Sequence, residues 1–380
     1  MRILELCHFS SGSCGVWQRV KKEAISFSNE GHLVKVFSSN KVKGKDKLAD
    51  KTDFIEDVEI KRFSAKHWGG ESFMSWDFEK VALEFKPNII IAHGYRHLHT
   101  TRALETRDKL MKQGYDCKVF LVGHSLFPTG NTRSIIAKII VNSYDRFDWI
   151  KRLNDFDGII AIAEKTKDDF IKLGADEDKI IYSPNWIDNK FKIFQRTVEE
   201  KPDKILFFGR ISPIKDIETL IKATYLLKDN NFTLEIVGPN EGNYLNKLRD
   251  LVKEKNLEDK INFLGEVDSD DLDQKISIID SAKIFVLPSK SEGMPQALME
   301  AMSRGKIVIS SNNPGSKGLI QDGKNGFLFN IGDEKELAEK IDFALQNDFN
   351  EIRNNARNHI INEFLNPIST QDLVKQPLLL

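Results

Sequence analysis

The sequence is poor in cysteine and contains no long apolar run. Its 380 residues include only three cysteines, Cys7, Cys14 and Cys117, and their spacing matches no metal-binding motif. So few thiols predict reduced cysteines in a reducing compartment rather than a disulfide framework. Because no stretch approaches the roughly 18 uninterrupted apolar residues that a membrane-spanning helix needs, we expect no such helix.

The sequence also lacks an excess of either charge. It has 56 basic and 57 acidic side chains, which gives a net charge of −1. Nucleic-acid-binding proteins usually have a clear basic excess, so nucleic acid is not an expected partner. The first six residues lack the apolar core of a signal peptide and have the pattern of a strand. These features predict a cytoplasmic protein, and peripheral contact with the inner face of the cell membrane stays open.

Short apolar runs alternate with longer segments of helical periodicity along the whole chain. Runs rich in Ile, Val and Phe are typical of strands buried on both faces, and the helices between them supply the crossovers of a parallel sheet. The predicted strands are residues 3–6, 33–37, 88–92, 118–122, 158–162, 179–182, 205–208, 234–237, 261–264, 284–287, 307–310 and 326–329.

This pattern and the chain length predict an α/β protein of two domains. Segment 198–203 is charged, contains Pro202 and precedes a new strand, so it indicates a boundary. We expect an amino-terminal domain over residues 1–185, a linker over 186–203 and a carboxy-terminal domain over 204–364. Each domain is expected to be a doubly wound, Rossmann-like parallel sheet. Ligands of such sheets bind at the carboxyl ends of strands, so a cleft between the domains is the expected site.

A basic loop follows the predicted strand 205–208. Gly209 lets the main chain pass close to a ligand, Arg210 can bind two phosphate oxygens, and Lys215 adds a further positive charge. Taken alone, the loop is also typical of two solvated basic residues on a connection between elements.

A second loop follows the predicted strand 284–287. Pro295 suits the first turn of a helix, whose exposed amides form an anion site. Glu292 precedes this helix and Glu300 lies beyond its first turn, so the two carboxylates can accept hydrogen bonds from two hydroxyl groups of one ligand. The alternative for Glu300 is a surface pair with Arg304, four residues further on.

The order Gly209-Arg210-x4-Lys215 and then Glu292-x7-Glu300 resembles the signature of glycosyltransferase family 4, the group 1 glycosyl transferases. The resemblance covers essentially the whole chain and is strongest from about residue 180 to 330. It implies the GT-B architecture, in which two Rossmann-like domains face each other across a cleft and the terminal segment packs back on the first domain. Agreement extends to residues 31–36, 184–188 and 322–328, and by the resemblance segment 365–380 is expected to pack back on the first domain.

The resemblance implies a role for each residue of the donor site. Arg210 and Lys215 would hold the diphosphate of a nucleotide sugar, and Glu300 would bind the ribose hydroxyls. Glu292 and the amides of the two following residues would meet hydroxyls of the transferred sugar. The implied donor-binding residues are Gly15, Gly209, Arg210, Lys215, Glu292, Gly293, Met294 and Glu300.

In the amino-terminal half, residues 9–16 contain neither a G-x-G-x-x-G fingerprint nor a P-loop. By the resemblance, Gly15 is the candidate for close approach to the diphosphate. His124 matches the position of the family's active-site histidine and would contact the transferred sugar, although a histidine at a strand end is often structural. The implied catalytic residues are His124, Arg210, Lys215 and Glu292. His93, at the end of the predicted strand 88–92, is placed like His124 but is the weaker candidate. Candidates for the acceptor side are His8, Tyr95, Arg96, His97 and Arg133.

The implied activity is that of a retaining, metal-independent hexosyltransferase with no cofactor beyond its co-substrate. It would move a hexose or N-acetylhexosamine from a nucleotide-diphosphate sugar to a glycan or lipid-linked acceptor in the biosynthesis of surface polysaccharide or glycoconjugate. The segment Asp268-Ser269-Asp270 has the spacing of metal-dependent transferases, but it stands where capping residues are ordinary. Two alternatives stay open, a GT-B-type nucleotide-sugar epimerase and a non-catalytic homologue that binds nucleotide sugars.

Segment 133–153 carries apolar residues at helical spacing among five basic side chains. A basic amphipathic helix of this kind can lie on an anionic membrane surface. The same spacing is typical of a helix that faces the core. Peripheral membrane contact through 133–153 and simple core packing are therefore both open.

Overall fold

The computed structural model describes residues 1–12, 14–44, 46–67, 74–124, 150–193, 195–196, 198–268, 270–364 and 367–374. The chain forms two α/β units. The described residues of unit 1 run up to Asn185 and include the segment that begins at Pro367, whereas unit 2 contains Trp186–Asn366. Within the described ranges, no helix has both the length and the apolar character needed to cross a membrane.

Unit 1 is built on a mainly parallel sheet with the strand order β10-β9-β8-β7-β1-β2-β4-β3. β3 is antiparallel to β4, and the other neighbours are parallel. Because β1 lies between β2 and β7, the direction of winding reverses between β1 and β7, and such a switch point opens a crevice at the carboxyl ends of the strands. The strands of unit 1 are β1 (Arg2–Phe9), β2 (Leu33–Ser39), β3 (Thr52–Ile55), β4 (Val58–Phe63), the separate pair β5 (Lys66–His67) and β6 (Met74–Ser75), β7 (Ile89–His93), β8 (Lys118–Gly123), β9 (Gly158–Ala161) and β10 (Ile180–Tyr182).

Unit 2 has a wholly parallel sheet with the order β13-β12-β11-β14-β15-β16. Two crossovers run outward from β11 to β12 and β13. The chain then returns to β14 on the other side of β11, and two further crossovers run outward to β15 and β16. The switch point therefore lies between β11 and β14. The strands are β11 (Lys201–Phe208), β12 (Thr233–Val237), β13 (Ile261–Gly265), β14 (Ala282–Leu287), β15 (Ile307–Ser311) and β16 (Phe327–Phe329).

Helices cover the sheets and bury their apolar sides. In α10, for example, Leu298, Met299 and Met302 are fully buried in the core of unit 2. The described helices are α1 (Gly15–Asn29), α2 (Glu79–Phe85), α3 (Leu98–Lys112), α4 (Ile150–Leu153), α5 (Glu164–Lys172), α6 (Asn189–Lys192), α7 (Ile217–Leu226), α8 (Tyr244–Glu254), α9 (Leu272–Asp280), α10 (Gln296–Ser303), α11 (Pro314–Lys317), α12 (Glu334–Gln346), α13 (Asn350–Glu363) and α14 (Thr370–Val374).

Each of the twelve predicted strands overlaps an observed strand. β3, β4, β5 and β6 were not predicted, because none of them is a continuous apolar run. In β4, fully buried residues alternate with half-buried ones, which is the pattern of a strand with one solvated face.

The predicted linker and the terminal segment both have defined structure. Within residues 186–203, the predicted linker, α6 is helical and β11 already begins at Lys201, which pairs with Ala282 of β14. At the far end of the chain, the Thr370 hydroxyl donates to Glu30 at 2.5 Å and lies 3.0 Å from His32 Nε2. The terminal segment is therefore fixed to the end of α1 in unit 1.

The predicted amphipathic segment 133–153 lies outside the described residues up to position 149. Only its last turn is described, as α4, in which Leu153 is fully buried in the core of unit 1. Arg133, a candidate for the acceptor side, also lies outside the described residues.

A buried ion pair ties α10 to α9. Arg304 Nε and Nη2 donate to the two oxygens of Asp280 at 2.8 and 2.6 Å, and both side chains are 1% exposed. Arg304 also donates to the carbonyls of Ile193 and Gln195, which precede β11. Loss of one member would leave the other charge buried without compensation, which is far more costly than loss of a surface pair.

We expect Arg304→Ala to lower the free energy of unfolding by about 3–5 kcal/mol, because the Asp280 carboxylate would stay buried without its partner. Lys190→Ala is the matched control. It removes a pair with Asp273 at 3.0 Å in which both side chains are exposed, and it should change stability by less than about 1 kcal/mol. Urea unfolding followed by circular dichroism measures both, and equal midpoints for the two variants would contradict the assignment.

Candidate active site

The two predicted phosphate-handling loops follow adjacent strands of unit 2. The loop after β11 begins at Gly209, whose amide donates to the carbonyl of Val237 at 2.9 Å. The loop after β14 runs from Pro288 to Pro295, and the Lys290 amide donates to the carbonyl of Ile214 at 2.9 Å. The main chains of the two loops are thus hydrogen-bonded to each other at the switch point of the sheet.

Close main-chain contacts fix both loops. A Cβ at Gly238, where φ is +140°, would lie 1.9 Å from the carbonyl oxygen of Gly209. A Cβ at Gly315 would lie 2.7 Å from the carbonyl oxygens of both Glu292 and Gly293. Any larger residue at either position would push a loop away from its neighbour.

Lys215 and Glu292 meet between the loops. A 3₁₀ turn over Pro213–Lys215 directs the lysine towards the second loop, and its Nζ donates to Glu292 Oε1 at 2.5 Å. Both side chains are largely buried. Lys215 and Glu292 are 77 positions apart in sequence. The structure brings them together, as the prediction that they belong to one site requires.

The remaining charges of the two loops are also paired. Arg210 Nη1 donates to Glu241 Oε2 at 3.0 Å, with both side chains more than a third exposed. Lys290 Nζ lies 3.1 Å from Asp216 Oδ1, and Asp216 is held in the left-handed region with φ +50° at the start of α7. An exposed pair such as that of Arg210 contributes little to stability, so its guanidinium can exchange partners at small cost.

Glu300 is buried at the second turn of α10, which begins directly after Pro295. Its Oε2 lies 2.6 Å from Lys275 Nζ, and its Oε1 accepts from Gln296 Nε2 at 3.3 Å. The pair with Lys275 has ion-pair distance without hydrogen-bond geometry, so Oε2 accepts no hydrogen bond from the part of the chain that the structure describes. The alternative of a surface pair with Arg304 is wrong, because Arg304 binds Asp280.

Three buried polar atoms without a hydrogen-bond partner lie around this site among the described residues. They are Glu300 Oε2 and the hydroxyls of Ser212 and Ser289. Ser212 belongs to the loop after β11, and Ser289 belongs to the loop after β14. Glu300 Oε2 still has Lys275 as its ion-pair partner, whereas the two hydroxyls have no hydrogen-bond partner among the described residues and are available to a polar ligand.

Gly293 and Met294 lie between Glu292 and the start of α10. Met294 is half-buried against the core of unit 2.

The Asp-x-Asp segment before α9 has local roles. Asp268 Oδ1 accepts a hydrogen bond from the Asp270 amide at 3.0 Å, and the side chain of the next residue, Asp271, caps α9 by accepting from the Gln274 amide at 2.9 Å.

In unit 1, the predicted residues lie at the carboxyl ends of β1, β7 and β8. Gly15 is the first residue of α1, and a Cβ there would have no atom within 4 Å, so the main chain faces open space. Tyr95 and Arg96 follow β7, with the guanidinium 4.7 Å from the centre of the tyrosine ring. His8 and His97 are in contact, with their Nδ1 atoms 3.1 Å apart.

His124 belongs to a chain of three side chains that sequence reasoning did not connect. His93 Nδ1 lies 3.1 Å from His124 Nε2, and His93 Nε2 lies 2.7 Å from Glu5 Oε2. Glu5 and His93 are buried, whereas His124 is partly exposed. A carboxylate thus orients one imidazole, which in turn orients the imidazole at the edge of the sheet.

A second buried carboxylate, Glu23 of α1, borders this chain. Its Oε1 accepts from Arg19 Nη2 at 2.7 Å, and its Oε2 lies 3.4 Å from His93 Nε2. Arg19 also donates to the carbonyl of Ser183 at 2.9 Å and to the side chain of Asn185 at 3.1 Å. Arg19 therefore neutralises the cluster and attaches α1 to the end of unit 1.

Burial controls protonation in this cluster. It lowers the pKa of His93 to about 4, against the opposing effect of Glu23. It also lowers the pKa of His124 well below the usual range, with His93 and Arg19 acting in the same direction. Burial raises the pKa of Glu5, and Arg19 opposes that rise. Both imidazoles are consequently neutral near pH 7.

Two family models match the chain in succession. Glycosyltransferase Family 4 matches residues 14–191, and Glycosyl transferases group 1 matches residues 188–363. The chain is 26% identical over 324 residues to the putative colanic acid biosynthesis glycosyltransferase WcaL of Escherichia coli K12, an alignment that covers 81% of this chain and 75% of WcaL. It spans 45% of the length of two further curated relatives.

Solved structures share the fold. Sucrose-phosphate synthase from Thermosynechococcus elongatus superposes with a TM-score of 0.75 at 16% identity, covering 96% of this chain and 95% of that chain. Anabaena Alr3699/HepE in complex with UDP and glucose gives 0.70 at 18% identity, covering 96% of both. Two Rossmann-like units with these structural neighbours define the GT-B fold. The chain belongs to the group 1 glycosyl transferases of glycosyltransferase family 4.

We expect Gly315→Ala to lower the free energy of unfolding by about 1–3 kcal/mol, because its Cβ would press on the carbonyls of Glu292 and Gly293. Gly318→Ala, one turn further on, is the control, since its Cβ would meet its nearest neighbour at an ordinary 3.5 Å. The urea midpoints of Gly315→Ala and Gly318→Ala measure the difference. Equal midpoints would show that the loop after β14 can move without an energetic cost, contrary to the prediction.

The low pKa of His93 predicts acid sensitivity with a definite sign. Its folded value near 4 lies below the ordinary 6.5, so its contribution to stability is full above pH 6.5 and is lost as pH falls towards 4. The loss is on the order of 3 kcal/mol. His93→Gln should therefore lose less stability than the wild type between pH 6.5 and 4, measured by urea unfolding at each pH. His359→Gln, which removes a pair with the exposed Glu363 in another part of the chain, should keep the wild-type dependence. A wild-type dependence in His93→Gln would refute the assignment.

Proposed function

We propose that the chain is a retaining glycosyltransferase that takes a hexose or N-acetylhexosamine from a nucleotide-diphosphate sugar. The observation that carries the proposal is the meeting of the basic loop after β11 with the glutamates of the second loop and α10. It occurs at the switch point of a doubly wound sheet, where ligands of such sheets bind. Lys215 and Glu292, 2.5 Å apart, mark the point at which the two loops join.

The donor diphosphate is assigned to Arg210 and Lys215. Arg210 is paired with Glu241 and Lys215 with Glu292, and a diphosphate would replace Glu241 at the exposed guanidinium of Arg210. Departure of the nucleoside diphosphate places negative charge on oxygens beside these cations, which stabilise it. In this proposal the two side chains neutralise the diphosphate without a metal ion.

The hydroxyl groups of the donor are assigned to the two glutamates. Glu300 is buried, with its Oε2 2.6 Å from Lys275 Nζ, and in this proposal a ribose hydroxyl donates to its carboxylate beside that lysine. Glu292, with the amides of Gly293 and Met294, is assigned to the transferred sugar. Glu300→Ala is accordingly expected to act on the Michaelis constant of the donor, and Glu292→Ala on turnover or sugar selectivity.

Unit 1 contributes His124 and Gly15 in this proposal. The neutral imidazole of His124, oriented by His93 and Glu5, contacts the transferred sugar, and the main chain at Gly15 approaches the diphosphate. The bond from the sugar C1 to the diphosphate breaks, and a bond to the acceptor oxygen forms on the same face. The relative WcaL, named for colanic acid biosynthesis, supports a glycan or lipid-linked acceptor in surface polysaccharide synthesis.

Arg210→Ala and Lys215→Ala should each lose roughly 2–4 kcal/mol of transition-state stabilisation, which lowers turnover about 30- to 1000-fold. Lys247→Ala is the control, because this lysine of α8 is exposed and pairs with Glu218. Release of nucleoside diphosphate is measured over a panel of UDP-, GDP- and ADP-sugars with an acceptor extract. Near-normal turnover in both variants would refute the donor site.

The same panel separates the two alternatives. An epimerase would convert a nucleotide sugar to its epimer in the absence of any acceptor. A non-catalytic homologue would bind nucleoside diphosphate in calorimetry and release none from any donor. A glycosyltransferase releases nucleoside diphosphate faster when the acceptor is added.

A further inference from the structure

Three histidines that the proposed reaction does not use lie together in unit 1. They are His8 at the end of β1, His97 directly before α3, and His99 in its first turn. One nitrogen of each ring lies within 4.8 Å of a nitrogen of both others. The Nδ1 atoms of His8 and His97 are already 3.1 Å apart.

The tautomer of His99 is fixed by its surroundings. Its Nε2 lies 2.8 Å from the carbonyl oxygen of His93, which can only accept, so Nε2 carries the hydrogen. Nδ1 therefore presents a lone pair. That atom is buried and has no hydrogen-bond partner among the described residues. A metal-binding histidine typically donates its other ring N–H to a backbone carbonyl in this way.

The surroundings hold the three rings in place. The buried Trp76 ring packs on His99 at 4.8 Å and on His8 at 5.6 Å between ring centres. A Cβ at Gly94 would lie 3.1 Å from the ring of His97, so the glycine makes room for that ring. His97 is only half-buried and gives access from solvent.

We propose that His8, His97 and His99 form a binding site for a divalent transition metal, with Zn²⁺ the best match. Imidazole nitrogens suit zinc, and three protein ligands leave a fourth position open. Two nitrogens on a tetrahedral zinc ion are about 3.3 Å apart, close to the 3.1 Å between His8 and His97. One ring nitrogen of His99 lies within 4.8 Å of a nitrogen of both other rings, so a small approach would complete the set of three ligands.

The neighbouring group of Glu5, Glu23 and His93 is a weaker candidate for the same metal. Both ring nitrogens of His93 already have partners, and Arg19 binds Glu23. A cation there would have to displace a buried guanidinium. Of the two groups, only the three histidines offer a lone pair that is ready for a metal.

Metal binding is tested on the full chain after dialysis against a chelator. Calorimetric titration with Zn²⁺ should give one equivalent per chain, and Co²⁺ should give the visible absorption of a tetrahedral site. His97→Ala and His99→Gln should weaken binding beyond the roughly 10- to 100-fold typical of losing an outer partner. In His99→Gln the amide can still donate to the His93 carbonyl, so the fold is spared while the ligand is lost.

His359→Ala and His93→Gln are the controls, and both should retain one equivalent of Zn²⁺. Absence of a stoichiometric Zn²⁺ site in the wild type would overturn the proposal, as would binding that survives both His97→Ala and His99→Gln. Loss of the site in His93→Gln alone would place the metal at the neighbouring group instead. The readout is metal binding, so it stands or falls separately from the transferase activity.

Discussion

The loops that follow β11 and β14 pack directly against neighbouring main chain, with no side chain in between. At Gly238 a Cβ would lie 1.9 Å from the Gly209 carbonyl, and at Gly315 one would lie 2.7 Å from two carbonyls of the other loop. Everything else in the candidate donor site depends on this spacing. Lys215 reaches Glu292, and the start of α10 lies beside both, because neither loop can move outward without losing these contacts.

Continuous apolar runs made the sheets predictable from sequence. A strand covered by helices on both faces is a nearly continuous apolar run. Ile89–His93 shows the result, with four apolar residues and a final histidine that are all buried. The strands missed were those without that requirement, such as β4, whose second face is partly solvated. The donor motifs were predictable for a related reason, since their residues stand at fixed offsets from the ends of such strands.

The partners of charged residues were not predictable, because pairing in the fold ignores separation in sequence. Glu300 has a basic residue at the helical spacing that favours a local pair, yet its partner is Lys275 on another helix. The sequence does indicate that Glu5 has a buried partner, because a charged residue within a largely apolar strand requires one. The sequence does not say which residue that is, and His93 is 88 positions away.

The two units differ in when their last elements are synthesised. The described strands of unit 2 all lie between Lys201 and Phe329, so they exist once residue 329 has been made. Unit 1 is interrupted, and its last helix, α14, carries the hydroxyl that binds Glu30 and His32 at the end of α1. On the ribosome, the first domain to begin folding is thus the last to be completed, and its final turn must wait until the whole of the second domain has been translated.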